Sequence, residues 1–332
     1  MTTASSRKTI VVVGATGNQG SSVVNAFLKL PHWHVRALTR TPTSDASKSL
    51  AAQGAEVVLA DLAEPASLTK AFEGANAIFL NTDFWGTYMP AKAALDAEGK
   101  PSEPASLKAF TNETTNGKNA VDAAAAVPTL ERFIYSALAP IAKLSKGRYT
   151  RSMHSDAKAH IVDYIEAQQP AVAKKTSLII PGAYTGNPAV TPRFDPDSGK
   201  YVLVTPLRAD FRMPIINPRE SVGPFVRALV EDEPAGTKLL AYDSYLTFTE
   251  MLDKWSKACG KDAVHVTIST KELHEKMGLP YELLDGLDFA NEIGTYIGYD
   301  GVIEPYQLKT KIQTKSFDDW LKERDWDKDF SA

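Results

Sequence analysis

The junction between Thr9-Ile10-Val11-Val12-Val13 and Gly14-Ala15-Thr16-Gly17-Asn18-Gln19-Gly20 constrains this chain more than any other feature. An unbroken β-branched run reads as a strand buried on both faces, the pattern of a parallel sheet covered by helices. Glycines at 14, 17 and 20 follow at once, and Val23, Val24, Phe27 and Leu30 then recur at helical intervals until Pro31. Strand, glycine turn and helix in this order leave the unpaired N–H groups of a helix N-terminus beside the turn. These groups and the helix dipole attract an anion.

The same rhythm continues. His34 to Leu38, Glu56 to Leu59, Ala77 to Leu80, Arg132 to Tyr135 and Ser177 to Ile180 read as strands. Helical segments over 44–53, 68–72 and 115–126 lie between them. Strands alternating with helices predict an α/β fold, a Rossmann-type doubly wound parallel sheet joined by right-handed crossovers. Asp96 to Ser106 is charged and proline-containing, and reads as a surface loop. From Pro181 to Pro224 the chain holds eight of its 20 prolines, alongside Tyr184, Phe194, Tyr201, Phe211 and Met213. That stretch cannot be a long helix, and its aromatics argue for irregular cover over a pocket, mixed with short strands. Helical spacing returns over 220–231. An α-rich tail follows Leu246 and ends in a helix capped by Ser316. Residues 1–180 are thus expected to form the Rossmann domain. Residues 181–332 mainly form a smaller covering lobe, with 214–232 returning to the Rossmann domain.

Composition excludes several classes. The 332 residues carry 37 Lys+Arg against 40 Asp+Glu, a net charge of −3, so no basic footprint for nucleic acid or anionic lipid exists. No stretch approaches the ~20 apolar residues of a spanning helix. One cysteine, Cys259, cannot form an internal disulfide or a thiolate metal site. The polar start, Met1 to Lys8, has no apolar signal core, and an intracellular, cytoplasmic protein is expected. The six histidines show no H-E-x-x-H spacing, so no metal is expected. Neither a G-x-S-x-G elbow nor a G-x-x-x-x-G-K-[ST] loop occurs.

The spacing G-x-x-G-x-x-G is a variant of the dinucleotide fingerprint. Gly14 permits the tight turn, Gly17 leaves room for a pyrophosphate, and Gly20 lets helix and sheet approach. Thr16, Asn18 and Gln19 complete the loop. The end of the second strand chooses between the two nicotinamide cofactors. An Asp or Glu there would bind the ribose 2′-OH of NAD; this chain has Thr39-Arg40-Thr41. An arginine fork flanked by hydroxyls suits a 2′-phosphate, so NADP(H) is the expected cofactor. Asp61 and Leu62 would border the adenine, and Asn81 and Thr82 would line the floor past the fourth strand.

These segments resemble the NmrA-like family, an atypical branch of the short-chain dehydrogenase/reductase superfamily. The resemblance rests on residues 14–20 and Val35-Arg36-Ala37-Leu38-Thr39-Arg40, on Gly54 to Val58 and on Asn116-Gly117-Lys118-Asn119. Tyr135-Ser136-Ala137, His154 to Lys158, Pro181-Gly182-Ala183-Tyr184 and Ser316 to Leu321 carry it further. It implies that the glycine loop and Arg40 hold NADP, with Lys158 and the segment Pro181 to Tyr184 near the nicotinamide. It also implies one of two roles. Some members are NADPH-dependent reductases, a number of them in fungal secondary metabolism. Others are regulators that bind the cofactor without turnover and work through a protein partner, which would allow a nuclear location.

Short-chain dehydrogenases typically use Tyr-x-x-x-Lys, and here the matching segment is His154-Ser155-Asp156-Ala157-Lys158. Residues four apart share a helix face, so His154 and Lys158 can enter one site. His154 then reads either as a proton donor in place of the tyrosine or as a surface or capping residue. Tyr184 and Tyr149 are alternative donors. Ser136 stands where the superfamily keeps a carbonyl-polarising serine, or is a buried hydroxyl bonded to backbone. The expected partners are a small-molecule carbonyl, enone or imine substrate and, for a regulator, a protein. A homodimer is left open.

Overall fold

The computed structural model describes residues 7–187, 190–294 and 298–331. Met1 to Ser6 of the polar start and Pro188 of the proline-rich stretch lie outside the described residues. The first half runs β1 (Lys8–Val12), α1 (Asn18–Leu28), β2 (Trp33–Thr39), α2 (Asp45–Ala52), β3 (Glu56–Leu59), α3 (Pro65–Phe72), β4 (Ala77–Leu80), α4 (Trp85–Ala97), α5 (Glu103–Ala125) and β5 (Arg132–Ser136). Then come α6 (Ile141–Leu144), α7 (Met153–Gln168), α8 (Pro170–Ala173), β6 (Thr176–Pro181), β7 (Ala183–Tyr184), β8 (Arg193–Asp195), β9 (Lys200–Thr205), β10 (Arg212–Ile216) and α9 (Val222–Glu231). The remainder is β11 (Lys238–Ala241), β12 (Ser244–Thr247), α10 (Phe248–Cys259), β13 (Ala263–Thr267), α11 (Thr270–Met277), α12 (Tyr281–Ile293), β14 (Val302–Ile303), α13 (Phe317–Lys322) and α14 (Trp326–Ser331).

An eight-stranded sheet in the order β14-β11-β6-β5-β4-β1-β2-β3 forms the centre. Every pairing in it is parallel. The β-branched strands follow from burial on both faces. Val11, Ile78, Phe133 and Leu178 point into one core with α3, α5 and α7. Ile10, Val12, Phe79, Ile134 and Ile179 point into the other, with α1 and α9. A third core, around Leu203, Met213, Ile215, Phe248, Met251 and Trp255, belongs to the covering lobe. That lobe carries two small sheets, β12-β10-β7 and β13-β9-β8.

The structure departs from the sequence reading in three places. The main sheet has eight strands rather than six, because β11 and β14 from the C-terminal part extend its edge beside β6. The tail after Leu246 therefore holds strands as well as helices. The expected loop at Asp96 to Ser106 shrinks to residues 98–102: α4 runs through Ala97, and α5 starts at Glu103 with Pro104 in its first turn. A proline costs nothing there, since the N–H it lacks would have no helical partner. The closing helix agrees with its reading, Ser316 and Asp319 forming a reciprocal capping box.

Helices α1 and α9 meet at backbone distance. Gly223 N donates to Ser22 Oγ at 2.8 Å, and a Cβ on Gly223 would stand 2.1 Å from the Ser22 carbonyl oxygen. Gly223→Ala must push the helices apart, at a cost of about 1–3 kcal/mol. The expected result is a lower urea midpoint; an unchanged midpoint would show that the contact carries no packing constraint.

Candidate active site

Parallel strands between helices leave one place for a ligand, the crevice beyond the carboxyl ends of the strands. A cavity of about 970 Å³ opens there, lined from the glycine loop, the ends of β2 to β6, the start of α4, and α7. The loop geometry separates the three glycines. Gly14 has φ +71°, a left-handed conformation that favours glycine. A Cβ on Gly20 would lie 2.1 Å from the Gly14 carbonyl oxygen, so Gly20 packs under the turn and does not line the cavity. Gly17 faces the cavity, where a Cβ would meet only the Gly14 oxygen, at 3.3 Å. It begins α1 with no side-chain cap, leaving the first helical N–H groups open. Thr16, Asn18 and Gln19 share this wall.

At the end of β2, Thr39, Arg40, Thr41 and Ser44 line the far side. Their turn is braced by hydroxyls: Thr41 N donates to Thr39 Oγ1 at 3.1 Å, and Ser47 Oγ to the Thr41 carbonyl at 2.8 Å. Exposed Arg40 makes no hydrogen bond or ion pair with a described residue. Asp61 and Leu62 lie alongside; Asp61 Oδ1 accepts from Ala63 N, and Asn119 Nδ2 donates to the Leu62 carbonyl at 2.9 Å. An uncapped helix N-terminus, a wall a Cβ would fill and an unpartnered guanidinium fit an elongated ligand with anionic groups.

The other end holds the reactive candidates. Helix α7 presents His154 and Lys158 to the cavity one turn apart. Lys158 Nζ donates to the Thr82 carbonyl at 2.9 Å, to Thr82 Oγ1 at 3.1 Å and to Glu113 Oε1 at 2.7 Å. Three ammonium donors thus have three protein acceptors. Thr82 Oγ1 in turn donates to Glu113 at 2.6 Å, so Thr82 serves under the floor through its side chain. Glu113 is 0% exposed, on α5, and its second oxygen is buried without a partner. Tyr135 Oη lies 3.2 Å from Thr82 Oγ1, and burial together with the Glu113 charge pushes that phenol well above its usual range.

His154 Nδ1 lies 2.7 Å from Glu282 Oε1, which also accepts from His154 N at 2.8 Å. Its Nε2 makes no hydrogen bond to a described residue. The imidazole packs against the rings of Trp85 and Phe84, centroids 5.1 and 6.0 Å away. Across the cavity, Tyr184 Oη accepts from Gln19 Nε2 at 2.7 Å, and burial raises its pKa. Ser136, Asn81 and Pro181 line the cavity, and the Ser136 hydroxyl has no partner among the described residues. Ser136 is therefore not the backbone-bonded hydroxyl of the alternative reading. Tyr149 does not reach the cavity; its hydroxyl donates to Glu292 at 2.7 Å.

The sequence reading missed Phe84, Trp85, Glu113 and Glu282. The aromatic pair just past the fourth strand stands at the ligand end of such a fold and was a usable signal. The two glutamates carry none, lying 45 and 128 residues from the groups they bind.

The arrangement defines a dinucleotide-binding type of α/β fold with a titratable pair under an aromatic wall. The chain belongs to the NmrA-like family, whose model matches residues 6–321. It is 35% identical over 187 residues to an NmrA-like family domain-containing oxidoreductase of Penicillium ochrochloron, 54% of this chain and 48% of that protein. The match thus spans about half the length of that relative. An oxidoreductase of the same description from Aspergillus hancockii is 29% identical over 284 residues, 82% of this chain and 78% of its own. Among solved structures, NmrA, a negative transcriptional regulator in complex with NAD, superposes with a TM-score of 0.70 at 20% identity, covering 96% of this chain and 95% of that one. Leucoanthocyanidin reductase with NADPH from Vitis vinifera gives 0.69 at 14%, covering 95% and 98%.

Removing Lys158 leaves Glu113 a buried charge without its counter-ion. Lys158→Ala should therefore cost about 3–5 kcal/mol in chemical denaturation, and Glu113→Gln in the same chain should recover most of it. Equal stability of wild type and Lys158→Ala would show that the pair contributes nothing to the fold.

Proposed function

We propose that this protein is an NADP(H)-dependent reductase of a small organic carbonyl, enone or imine, the substrate being a fungal secondary metabolite. The observation that carries the reading is His154, with an unengaged Nε2, beside Lys158 at the end of the cavity opposite Arg40. The glycine loop would hold the pyrophosphate and Arg40 the 2′-phosphate, with Asp61 and Leu62 at the adenine and Asn81, Pro181 and Tyr184 near the nicotinamide. NADPH, when bound, supplies hydride. The chain's own part is to orient the substrate, exclude water and deliver a proton. Trp85, Phe84 and Tyr184 make a wall for a flat unsaturated group. Imidazolium at His154 gives the Nε2 proton to the oxygen or nitrogen that gains negative charge as the double bond is reduced. Lys158, its donors held by Thr82 and Glu113, fixes the floor beneath the reacting centre while that carboxylate offsets its charge. Tyr184, tied to Gln19 and with a raised pKa, serves as cover better than as an acid.

The same Lys158 contacts support a second reading, a redox sensor that binds the cofactor without turnover. A lysine fully engaged with protein acceptors is a weaker proton-network partner, and the NmrA structures are of a transcriptional regulator.

Three outcomes are expected. NADPH binds more tightly than NADH in calorimetric titration, and Arg40→Ala removes about 1.5–3 kcal/mol of that preference; equal affinities in the unaltered protein would contradict the cofactor assignment. Gly17→Val keeps the fold but loses the thermal shift produced by NADPH. On a substrate found by screening carbonyls and imines, His154→Phe lowers kcat by ~10²–10⁴. Undiminished kcat would remove His154 as the acid, and NADPH binding with no turnover of any compound favours the sensor.

A further inference from the structure

We propose that Glu282 is a positioning residue for proton transfer: reaching in from the covering lobe, it fixes the His154 ring with Nε2 toward the cavity. The inference rests on the reductase reading for its purpose, but its geometry stands apart from turnover. Glu282 is the second residue of α12, and its side chain is 1% exposed. One oxygen, Oε1, accepts from the backbone N–H of His154 at 2.8 Å and faces Nδ1 at 2.7 Å; the other is buried without a partner. A carboxylate acceptor at Nδ1 requires the proton there, which leaves Nε2 as the nitrogen that gains and loses a proton.

A bare structural role explains less. The backbone N–H contact alone would make Glu282 a cap for α7, whose own N-cap residue Ser152 supplies no side-chain cap. The docking of α12, however, is already provided elsewhere. Asp285 receives Arg151 N at 2.9 Å and Arg151 Nη2 at 2.8 Å, and the Arg151 guanidinium lies 3.6 Å from the Tyr281 ring centre. Glu292 binds Tyr149 and Arg148 farther along. A costly buried carboxylate is therefore placed at the imidazole although the helix has other anchors. Leu283, the next residue, lines the cavity, so docking of α12 would close the substrate space and complete the acid together.

The test is ¹⁵N NMR of histidine-labelled full-length protein without cofactor, with His154→Phe assigning the signal. Neutral His154 should be protonated at Nδ1 in the wild type and shift largely to the Nε2–H form in Glu282→Ala. The Nε2–H form in the wild type, or an unchanged Nδ1–H form in the alanine variant, overturns the proposal. Glu282→Gln keeps the one oxygen that serves both the backbone N–H and Nδ1, so it should retain the Nδ1–H form and the wild-type melting curve. With an identified substrate Glu282→Ala should lower kcat about tenfold or more while KM stays near that of the wild type, and Glu282→Gln should recover most of the loss. Wild-type kcat in Glu282→Ala, or no recovery in a Glu282→Gln variant that keeps the Nδ1–H form, overturns the positioning role. The expected tautomers with no turnover of any substrate leave the dyad standing and refute the reductase reading instead.

Discussion

Burial of both faces of a parallel sheet is the constraint from which the rest of this structure follows. Eight parallel strands with helices packed on each side expose no polar face, so chemistry is confined to the strand ends. The glycine turn at the carboxyl end of β1 makes that edge usable. Its left-handed Gly14 and close-packed Gly20 draw α1 down to the strand, presenting the helix N-terminus to the cavity. The proposed ligand polarity follows: anionic groups would go to α1 and Arg40, and the reacting group to α7.

Charge in the reactive half is managed by burial. Both side chains that α7 turns to the cavity are matched to a carboxylate that water does not reach, Lys158 to Glu113 from α5 and His154 to Glu282 from α12. Partial desolvation makes each contact stronger than a surface pair and makes loss of either partner costly. Two acids beside two basic groups keep the wall near neutral while each group holds one orientation. The aromatic contacts of Phe84 and Trp85 with the imidazole keep that side apolar.

Much of this was legible in the residues. Alternating β-branched runs and helical periodicity define the first six strands, since burial leaves a periodic mark. The glycine turn, Arg40, and the His154 and Lys158 pair could be placed along one cavity because strand ends and helical spacing fix where such residues point. Strands β11 and β14 were not, being four and two residues long and stabilised only by the neighbour they pair with. Residues 96–106 misled because charge and proline are as compatible with a helix start as with a loop. Tyr149 looked like a donor by type and proximity in sequence, yet its hydroxyl turns to Glu292.

The sequence by itself determined the doubly wound fold, the glycine turn after β1 and the identity of the two side chains that α7 offers, because these depend on local pattern and short intervals. Tertiary structure alone decided what those side chains are bound to. Glu113 and Glu282 come to Lys158 and His154 across 45 and 128 residues, brought there by helix packing and lobe docking that no local spacing encodes. The availability of a proton at one ring nitrogen, and the engagement of a lysine's donors, depend on those distant carboxylates. Chemistry at this site is therefore a property of the packed molecule, since hydrogen-bond partners three ångströms away need not be near in the chain.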